Sequence, residues 1–390
     1  MPEREPILIQ KPAQWERCFQ TVRQHKRLAI DTESNGLFAY REQVCLIQIS
    51  VQSSNPSHNI TDYVIDPLAL PKLPGMADLM ADKNIEKIFH AAEYDLMCLK
   101  RDFDYEFNNL FDTMVVARAL GRKKVGLAAI LKDEFEVYIN KRFQRANWGK
   151  RPLTQEQIDY ARHDTHYLIP LRDRFYKAAK QANRLEEVQD RFQRLTQVNI
   201  VVNSFDPDDF WSLLNGKQDL SPQQNAVLRE LYIFRDREAQ RRGVPPFKVM
   251  SNRTLVELAE LLPRFTDELQ AIFGLSWRQI QRYGIRLLEV IQQGLTKESP
   301  APPARRPRPS RAVVNRFDRL SQWRKVTAQN RGVESDVIVS KNALWALARK
   351  VPMTMHELSA IKELSQWQID EYGSALLKQL RDSAPKRSQS

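Results

Sequence analysis

Four carboxylates and one tyrosine hold the chemistry this chain could do. They are Asp31 and Glu33 in AIDTES, Asp95 in FHAAEYDL, and Tyr160 with Asp164 in YARHDTHYL. Carboxylates are hard oxygen ligands that suit Mg²⁺ or Mn²⁺. Four of them aimed at one point cannot all stay ionised without cations between them. Two divalent cations about 3.5–4 Å apart can activate a water and offset charge on the leaving oxygen of an in-line phosphoryl displacement. The economical reading is a two-metal site that cuts phosphodiester bonds. With an ordinary pKa of about 10, Tyr160 is a poor base at neutral pH; its hydroxyl is better cast as orienting the attacking water.

Each of the five lies in a segment able to aim it. Residues i and i+2 of a strand share a face, which sets Asp31 and Glu33 side by side. Alone, such a pair is common and mostly solvated. Asp95 falls in the first turns of a helix after a strand ending near Phe89, where an acid is also good capping electrostatics. Tyr160 and Asp164 are i and i+4 and share a helical face, as a simple surface hydrogen bond would also require. Their joint arrangement of strand pair, helix start and helix face lifts the set above its parts.

The elements that must position them follow from pattern. RLAID (27–31), VCLIQISV (44–51), YVID (63–66), KIFH (87–90) and LFDT (110–113) are β-rich runs, the later ones alternating with helical segments. This order predicts an α/β domain with a mixed sheet covered on its faces. After about residue 154 strand signals mostly vanish. Thr154 with Gln157 forms a capping box that starts a helix, and Pro170 would interrupt it. Residues 203–222 read as a connector.

The second half contains a duplication. At a constant offset of 89, Arg242-Gly243-Val244 recurs as Arg331-Gly332-Val333, Ser251 as Ser340, Pro263 as Pro352 and Tyr283-Gly284 as Tyr372-Gly373. The matched apolar positions fall at helical spacings, so each copy is a small all-α domain rather than a solenoid repeat. SPAPPARRPRPSR (299–311) between them reads as an extended Pro/Arg-rich linker whose arginines could also touch phosphate.

A net charge of +12 over 390 residues, with pI near 9.5, favours a polyanionic partner. KRFQRANWGKR (141–151) interleaves cations with Phe143 and Trp148. Lys150, Arg151 and their neighbours could meet phosphates while an aromatic ring stacks on a base; a solvated loop with two buried anchors is the other reading. No apolar run approaches the roughly 18 residues of a membrane span, and the N-terminus lacks the apolar core of a signal peptide. Cys18, Cys45 and Cys98 lack metal-site spacing and read as reduced thiols of a cytoplasmic protein.

Asp31-Thr32-Glu33, Tyr94-Asp95 and Tyr160-Ala161-Arg162-His163-Asp164 resemble the three motifs of the DEDD superfamily of 3′→5′ exonucleases, in its tyrosine branch. His90 departs from the asparagine many members carry. Trp148-Gly149-Lys150-Arg151-Pro152-Leu153 resembles a run in the ribonuclease D family, and both 89-residue copies resemble the HRDC domain. The resemblance implies an RNase H-like exonuclease domain over 1–205, HRDC domains over 214–296 and 314–386, and a linker over 297–313. It implies catalysis by Asp31, Glu33, Asp95, Tyr160 and Asp164, the acids holding Mg²⁺ or Mn²⁺ with no organic cofactor. It also implies RNA as partner, namely tRNA precursors and small structured RNAs with 3′ tails. Leu37 stands where relatives carry an apolar wedge against terminal bases, although a core leucine is the other reading. A DNA exonuclease of the same branch and a non-catalytic RNA-binding protein are the rivals.

Overall fold

The computed structural model of the protein describes residues 5–53, 60–200, 204–214, 220–303 and 307–381. Parts of the expected connector (203 and 215–219), linker (304–306) and second helical module (382–386) lie outside the described residues.

Six strands form one sheet: β1 (Ile7–Ile9), β2 (Arg27–Ser34), β3 (Val44–Gln52), β4 (Ile60–Ile65), β5 (Glu86–Phe89) and β6 (Leu110–Asp112). Their order is β1-β4-β3-β2-β5-β6. β1 runs parallel to β4, β2 to β5 and β5 to β6, whereas β3 and β4 are antiparallel. The sheet is therefore mixed, as expected; β1 is an addition, its three residues too short to show a pattern.

The helices of the first half are α1 (Pro12–Val22), α2 (Met76–Ala81), α3 (Glu93–Phe103), α4 (Thr113–Ala119), α5 (Leu127–Phe135), α6 (Gln155–His166), α7 (Leu168–Gln181) and α8 (Leu185–Thr196). β3 is buried from Val44 to Val51 because both of its faces are covered. Ile47, Ile49 and Val51 face the main core with α1, α3 and α7 residues, while Cys45 and Leu46 join Val64, Trp148, Ile158 and Ala161 in a second cluster. That second cluster seats α6 on β3 and β4. Polar bonds then pin it: Ser50 Oγ donates to Asp62 at 2.6 Å and lies 2.6 Å from Thr165 Oγ1, and His166 Nδ1 lies 2.7 Å from Asp62. The break between α6 and α7 falls at Tyr167, three residues before Pro170.

One buried carboxylate fixes the start of α3. Asp112, 1% exposed at the end of β6, accepts from Ala91 N (3.2 Å) and Ala92 N (2.8 Å) at the head of α3. It also caps α4 through Met114 N (2.8 Å) and Val115 N (3.1 Å). Two helix entries thus share one acceptor.

The helical half repeats to the residue. α9 (Pro222–Arg242), α10 (Pro246–Val249), α11 (Asn252–Leu261) and α12 (Trp277–Leu295) recur as α13 (Arg311–Arg331), α14 (Ser335–Ile338), α15 (Lys341–Lys350) and α17 (Gln366–Arg381), with α16 (Met355–Ser359) matching a 3₁₀ turn at Thr266–Ala271. Hydrogen bonds recur at the same offset: Arg235 to Met250 O and Arg324 to Val339 O, then Gln279 to Val249 O and Gln368 to Ile338 O. Each module has its own hydrophobic core. The 3₁₀ segment Pro207–Leu214, expected to be a plain connector, buries Phe210, Leu213 and Leu214 in the first of these cores.

The chain divides into two compact units. One comprises Met1–Glu33, Val44–Ile200 and Pro307–Ser390, so the second module packs with the sheet domain. Its anchor is Glu187, 1% exposed, which meets Arg331 at 2.6 Å, Arg191 at 3.4 Å and Arg184 at 3.9 Å. Arg331 also donates to Tyr372, and Arg118 pairs with Asp336. Close approach demands glycine here, because a Cβ on Gly121 would lie 2.1 Å from the Gly332 carbonyl oxygen. The other unit joins Ser34–Gln43 to Val201–Arg306. Within it Tyr40 Oη donates to Asp236 at 2.9 Å, Tyr40 N donates to Gly243 O at 3.2 Å, and Lys248 Nζ sits 3.9 Å from the Phe38 ring centroid.

Asp112→Ala leaves the four N–H donors without their acceptor. The variant is expected to lose about 2–4 kcal/mol, the scale of two helix caps. Calorimetry should show an earlier melt of the sheet-containing unit, and an unchanged melt would refute the double-cap role.

Candidate active site

Asp31 and Glu33 sit on one face at the end of β2, and Asp164 reaches them from α6. One carboxylate oxygen from each can be chosen so that all three lie within 4.8 Å of one another. Asp95, in the first turn of α3, stands outside this tight group. Its Oδ1 accepts from Thr32 Oγ1 at 2.5 Å. Thr32 is a residue that sequence reasoning passed over as a spacer, and no signal in the sequence singles it out.

Burial and like-charge repulsion both act on these acids. Burial, then Asp95, Asp164 and Glu33, holds the Asp31 carboxyl well above the usual carboxylate range. Burial, then Asp164 and Asp95, does the same to Glu33. Burial pushes Asp95 up to about 7 against the hydrogen bonds from Thr32, and burial with Asp95 takes Asp164 to about 7. Four acids that resist ionising together form a site short of positive charge. Their hard oxygens and close approach fit divalent cations held by Asp31, Glu33 and Asp164, with Asp95 adjoining.

Tyr160 completes the cluster from one turn before Asp164. Burial first, then Asp164, Glu33 and Asp31, raises its pKa further above the ordinary phenol value, so the hydroxyl keeps its proton. Two rings from the 141–151 segment hold the tyrosine. Phe143 meets it edge-on at 5.9 Å between centroids, and Trp148 lies at 6.0 Å with planes 30° apart. A cavity of about 360 Å³ opens beside it, bordered by Tyr138, Asn140, Arg142, Phe143 and His163.

This arrangement corrects two expected RNA contacts. Trp148 is 2% exposed and packed among Cys45, Val64 and Ile158, so it has no ring face to offer a base. Arg151 forms a fork on Asp66 with two bonds of 2.7 Å and also donates to Cys45 O and Trp148 O. It pins the segment to the sheet and depresses the Asp66 pKa against burial. Lys150 is exposed, Phe143 is half-buried, and Leu37 is 49% exposed on the 34–43 loop rather than in a core.

Comparisons with known proteins identify the domains. A 3′-5′ exonuclease domain model matches residues 6–180, and an HRDC domain model matches residues 224–291 and 314–380. The fold and site therefore define a 3′→5′ exonuclease domain followed by two HRDC domains. Ribonuclease D of Cronobacter turicensis is 30% identical over 275 residues, covering 70% of this chain and 72% of that protein. The chain belongs to the ribonuclease D family. The crystal structure of Escherichia coli RNase D superposes with a TM-score of 0.68 at 23% identity, covering 98% of this chain and 99% of that one, a likeness of fold. The exosome complex exonuclease RRP6 of Saccharomyces cerevisiae is 28% identical over 272 residues, or 66% of this chain; the match spans only 36% of that longer relative. Among the described residues no helix is long and apolar enough to cross a membrane.

The crowded acids have a thermodynamic signature. Asp95 and Asp164 titrate near 7 when folded and near ~4 when unfolded, so between those values the folded state binds more protons. In EDTA, stability is then fullest below about pH 4 from these groups and is lost as pH rises through 7. Melting in EDTA is expected at a higher temperature at pH 6 than at pH 8, and excess Mg²⁺ at pH 8 should restore it. Equal melting temperatures in EDTA at both pH values would refute the crowding.

Proposed function

We propose that this protein is a metal-dependent exoribonuclease that removes nucleotides one at a time from RNA 3′ ends and releases nucleoside 5′-monophosphates. The observation that carries the reading is the convergence of Asp31, Glu33 and Asp164 carboxylate oxygens within 4.8 Å beside a protonated Tyr160. The relative named ribonuclease D supports RNA as the substrate class. The substrates proposed are precursors of tRNA and other small structured RNAs with single-stranded 3′ tails, acted on in the cytoplasm. The buried thiols Cys18, Cys45 and Cys98, which form no disulfide, suit a reducing compartment.

In this reading Asp31, Glu33, Asp95 and Asp164 hold two divalent cations, Mg²⁺ or Mn²⁺. When bound, such ions acidify a water and offset charge on the phosphoryl oxygens. The chain's own part is geometric. Water oxygen bonds to phosphorus as the P–O3′ bond to the preceding nucleotide breaks, leaving a new 3′-hydroxyl on the shortened RNA. With its proton retained, the Tyr160 hydroxyl orients the water through hydrogen bonding rather than taking its proton. Phe143 and Trp148 keep that hydroxyl in place. Leu37 and Lys150 remain available for contact with the RNA strand.

Asp31→Asn is expected to abolish cleavage of a 5′-labelled RNA in saturating Mg²⁺ while the protein melts cooperatively. Undiminished hydrolysis would remove Asp31 from the site. Tyr160→Phe, which deletes only the hydroxyl, should keep RNA affinity while turnover falls by roughly 10²-fold. Gel ladders should show stepwise loss from the 3′ end, blocked by a 3′-terminal phosphate. A matched DNA oligomer tests the sugar preference, and cleavage of a circular RNA would overturn the exonuclease assignment.

A further inference from the structure

The two HRDC modules share one interior but present different surfaces. Their helices begin at positions 89 residues apart, and their internal hydrogen bonds repeat. The solvent face of the last long helix does not repeat. On α12 it carries Trp277, Arg278, Gln281, Arg282, Ile285 and Arg286, all exposed. Trp277 is 64% and Ile285 73% exposed, so two large apolar side chains of this face lie open to solvent. Just before the helix, Phe273 is 53% exposed, and the Arg253 guanidinium lies 3.7 Å from its ring centroid. At the matching places α17 and its approach carry Gln366, Trp367, Asp370, Glu371, Ser374 and Ala375, with Asn342 and Lys362 for Arg253 and Phe273.

Among the described residues Arg278 and Arg282 make no ion pair, so their charge faces solvent; Arg286 is held by Glu238 at 2.6 Å. The α12 face thus joins the open Trp277 ring to unneutralised guanidinium groups; the helix itself has no acid before Glu289, while Glu257 adjoins the face at Phe273, accepting from its N–H at 3.1 Å. The corresponding α17 face replaces that cationic pair with Trp367 and Glu371, sets Asp370 beside them, and buries its tryptophan partly against Tyr372. Flat rings beside unpaired cations are what a single-stranded nucleic acid requires: bases stack on the rings while phosphates meet the charges, without demand on sequence. An acidic face like that of α17 repels the same polymer.

We infer that the first HRDC module binds single-stranded RNA through the Phe273–Trp277–Arg278–Arg282 face, and that the second module lacks this activity. The inference rests on RNA being the substrate. It names which copy grips the strand and by which side chains.

The test uses the full chain in EDTA, so that binding is read without cleavage. Anisotropy with a 5′-labelled single-stranded RNA compares wild type with Trp277→Ala, with the Arg278→Ala/Arg282→Ala double variant, and with Lys362→Ala/Gln366→Ala on the second module. Trp277→Ala is expected to weaken binding by roughly tenfold, as loss of one stacked base would. The arginine variant should flatten the slope of log affinity against log salt by about 1.4, or about 0.7 per lost phosphate contact on a single strand. The second-module variant should match wild type. All substituted positions are exposed and all except Trp277 are polar, and unchanged melting curves confirm folding.

Turnover of a trinucleotide in Mg²⁺ should stay at the wild-type rate, since the reacting groups are untouched. Wild-type affinity and salt slope in both α12 variants would overturn the inference and leave the nuclease reading standing. Loss of trinucleotide cleavage in Asp31→Asn with retained α12-dependent binding would support both. If wild type binds no RNA, both fall. If RNA affinity is unchanged but Trp277→Ala loses a poly-glutamate peptide that wild type binds, the face is a protein dock and the inference is wrong.

Discussion

The repulsion among acids at the end of β2 is the constraint that the rest of the sheet domain answers. Burial raises the pKa of all four acids, and neighbouring carboxylates raise Asp31, Glu33 and Asp164 further, so the fold must hold them together against their own fields. It does so with independent restraints on each approaching element. Asp112 fixes the entry of α3, which brings Asp95. Ser50, Asp62, Thr165 and His166 fasten α6, which brings Asp164 and Tyr160. Arg151 on Asp66 fastens the segment whose two rings brace Tyr160. Each restraint is a polar group buried at a junction, where a lost partner leaves an unsatisfied charge or donor.

What could be read in the sequence was whatever depends on local pattern. Strand alternation placed five of the six strands, and the Thr154–Gln157 box placed the start of α6. The i+2 and i+4 spacings were enough to put Asp31 beside Glu33 and Tyr160 beside Asp164. Partner choice across the fold was not legible. Trp148 and Arg151 sit in a cationic, aromatic run that suggests a strand-binding loop, and composition cannot tell a ring that stacks on a base from one that stacks on a tyrosine. Nor does periodicity reveal that Asp112, one acid among many, serves two helices. The 34–43 segment, which lies within the residues matched by the exonuclease domain model, also makes contacts that the sequence did not announce, because Tyr40 finds Asp236 and Gly243 far along the chain.

The duplication separates what a helical module needs to fold from what it is free to change. The glycine that ends the first helix has a positive φ in both copies, 62° at Gly243 and 66° at Gly332. The preceding arginine reaches the tyrosine 41 residues later in both, Arg242 to Tyr283 and Arg331 to Tyr372. These backbone and interior devices tolerate little variation, whereas solvent-facing positions carry no such penalty. In the second copy the same arginine also meets Glu187, a partner not seen for Arg242 among the described residues.

That contact also bears on the order in which the chain can mature. Glu187 emerges during synthesis 144 residues before Arg331, its shortest ion-pair partner. Domains tend to fold as they emerge, N-terminal first. Until the second module has been made, the newborn sheet domain therefore carries Glu187 on an uncovered flank with Arg184 and Arg191 beside it. Translation of the intervening module becomes a built-in delay between formation of the nuclease fold and closure of that flank. A ribosome stalled within that interval would hold a nascent chain with its acidic site already encoded and its surface still unfinished.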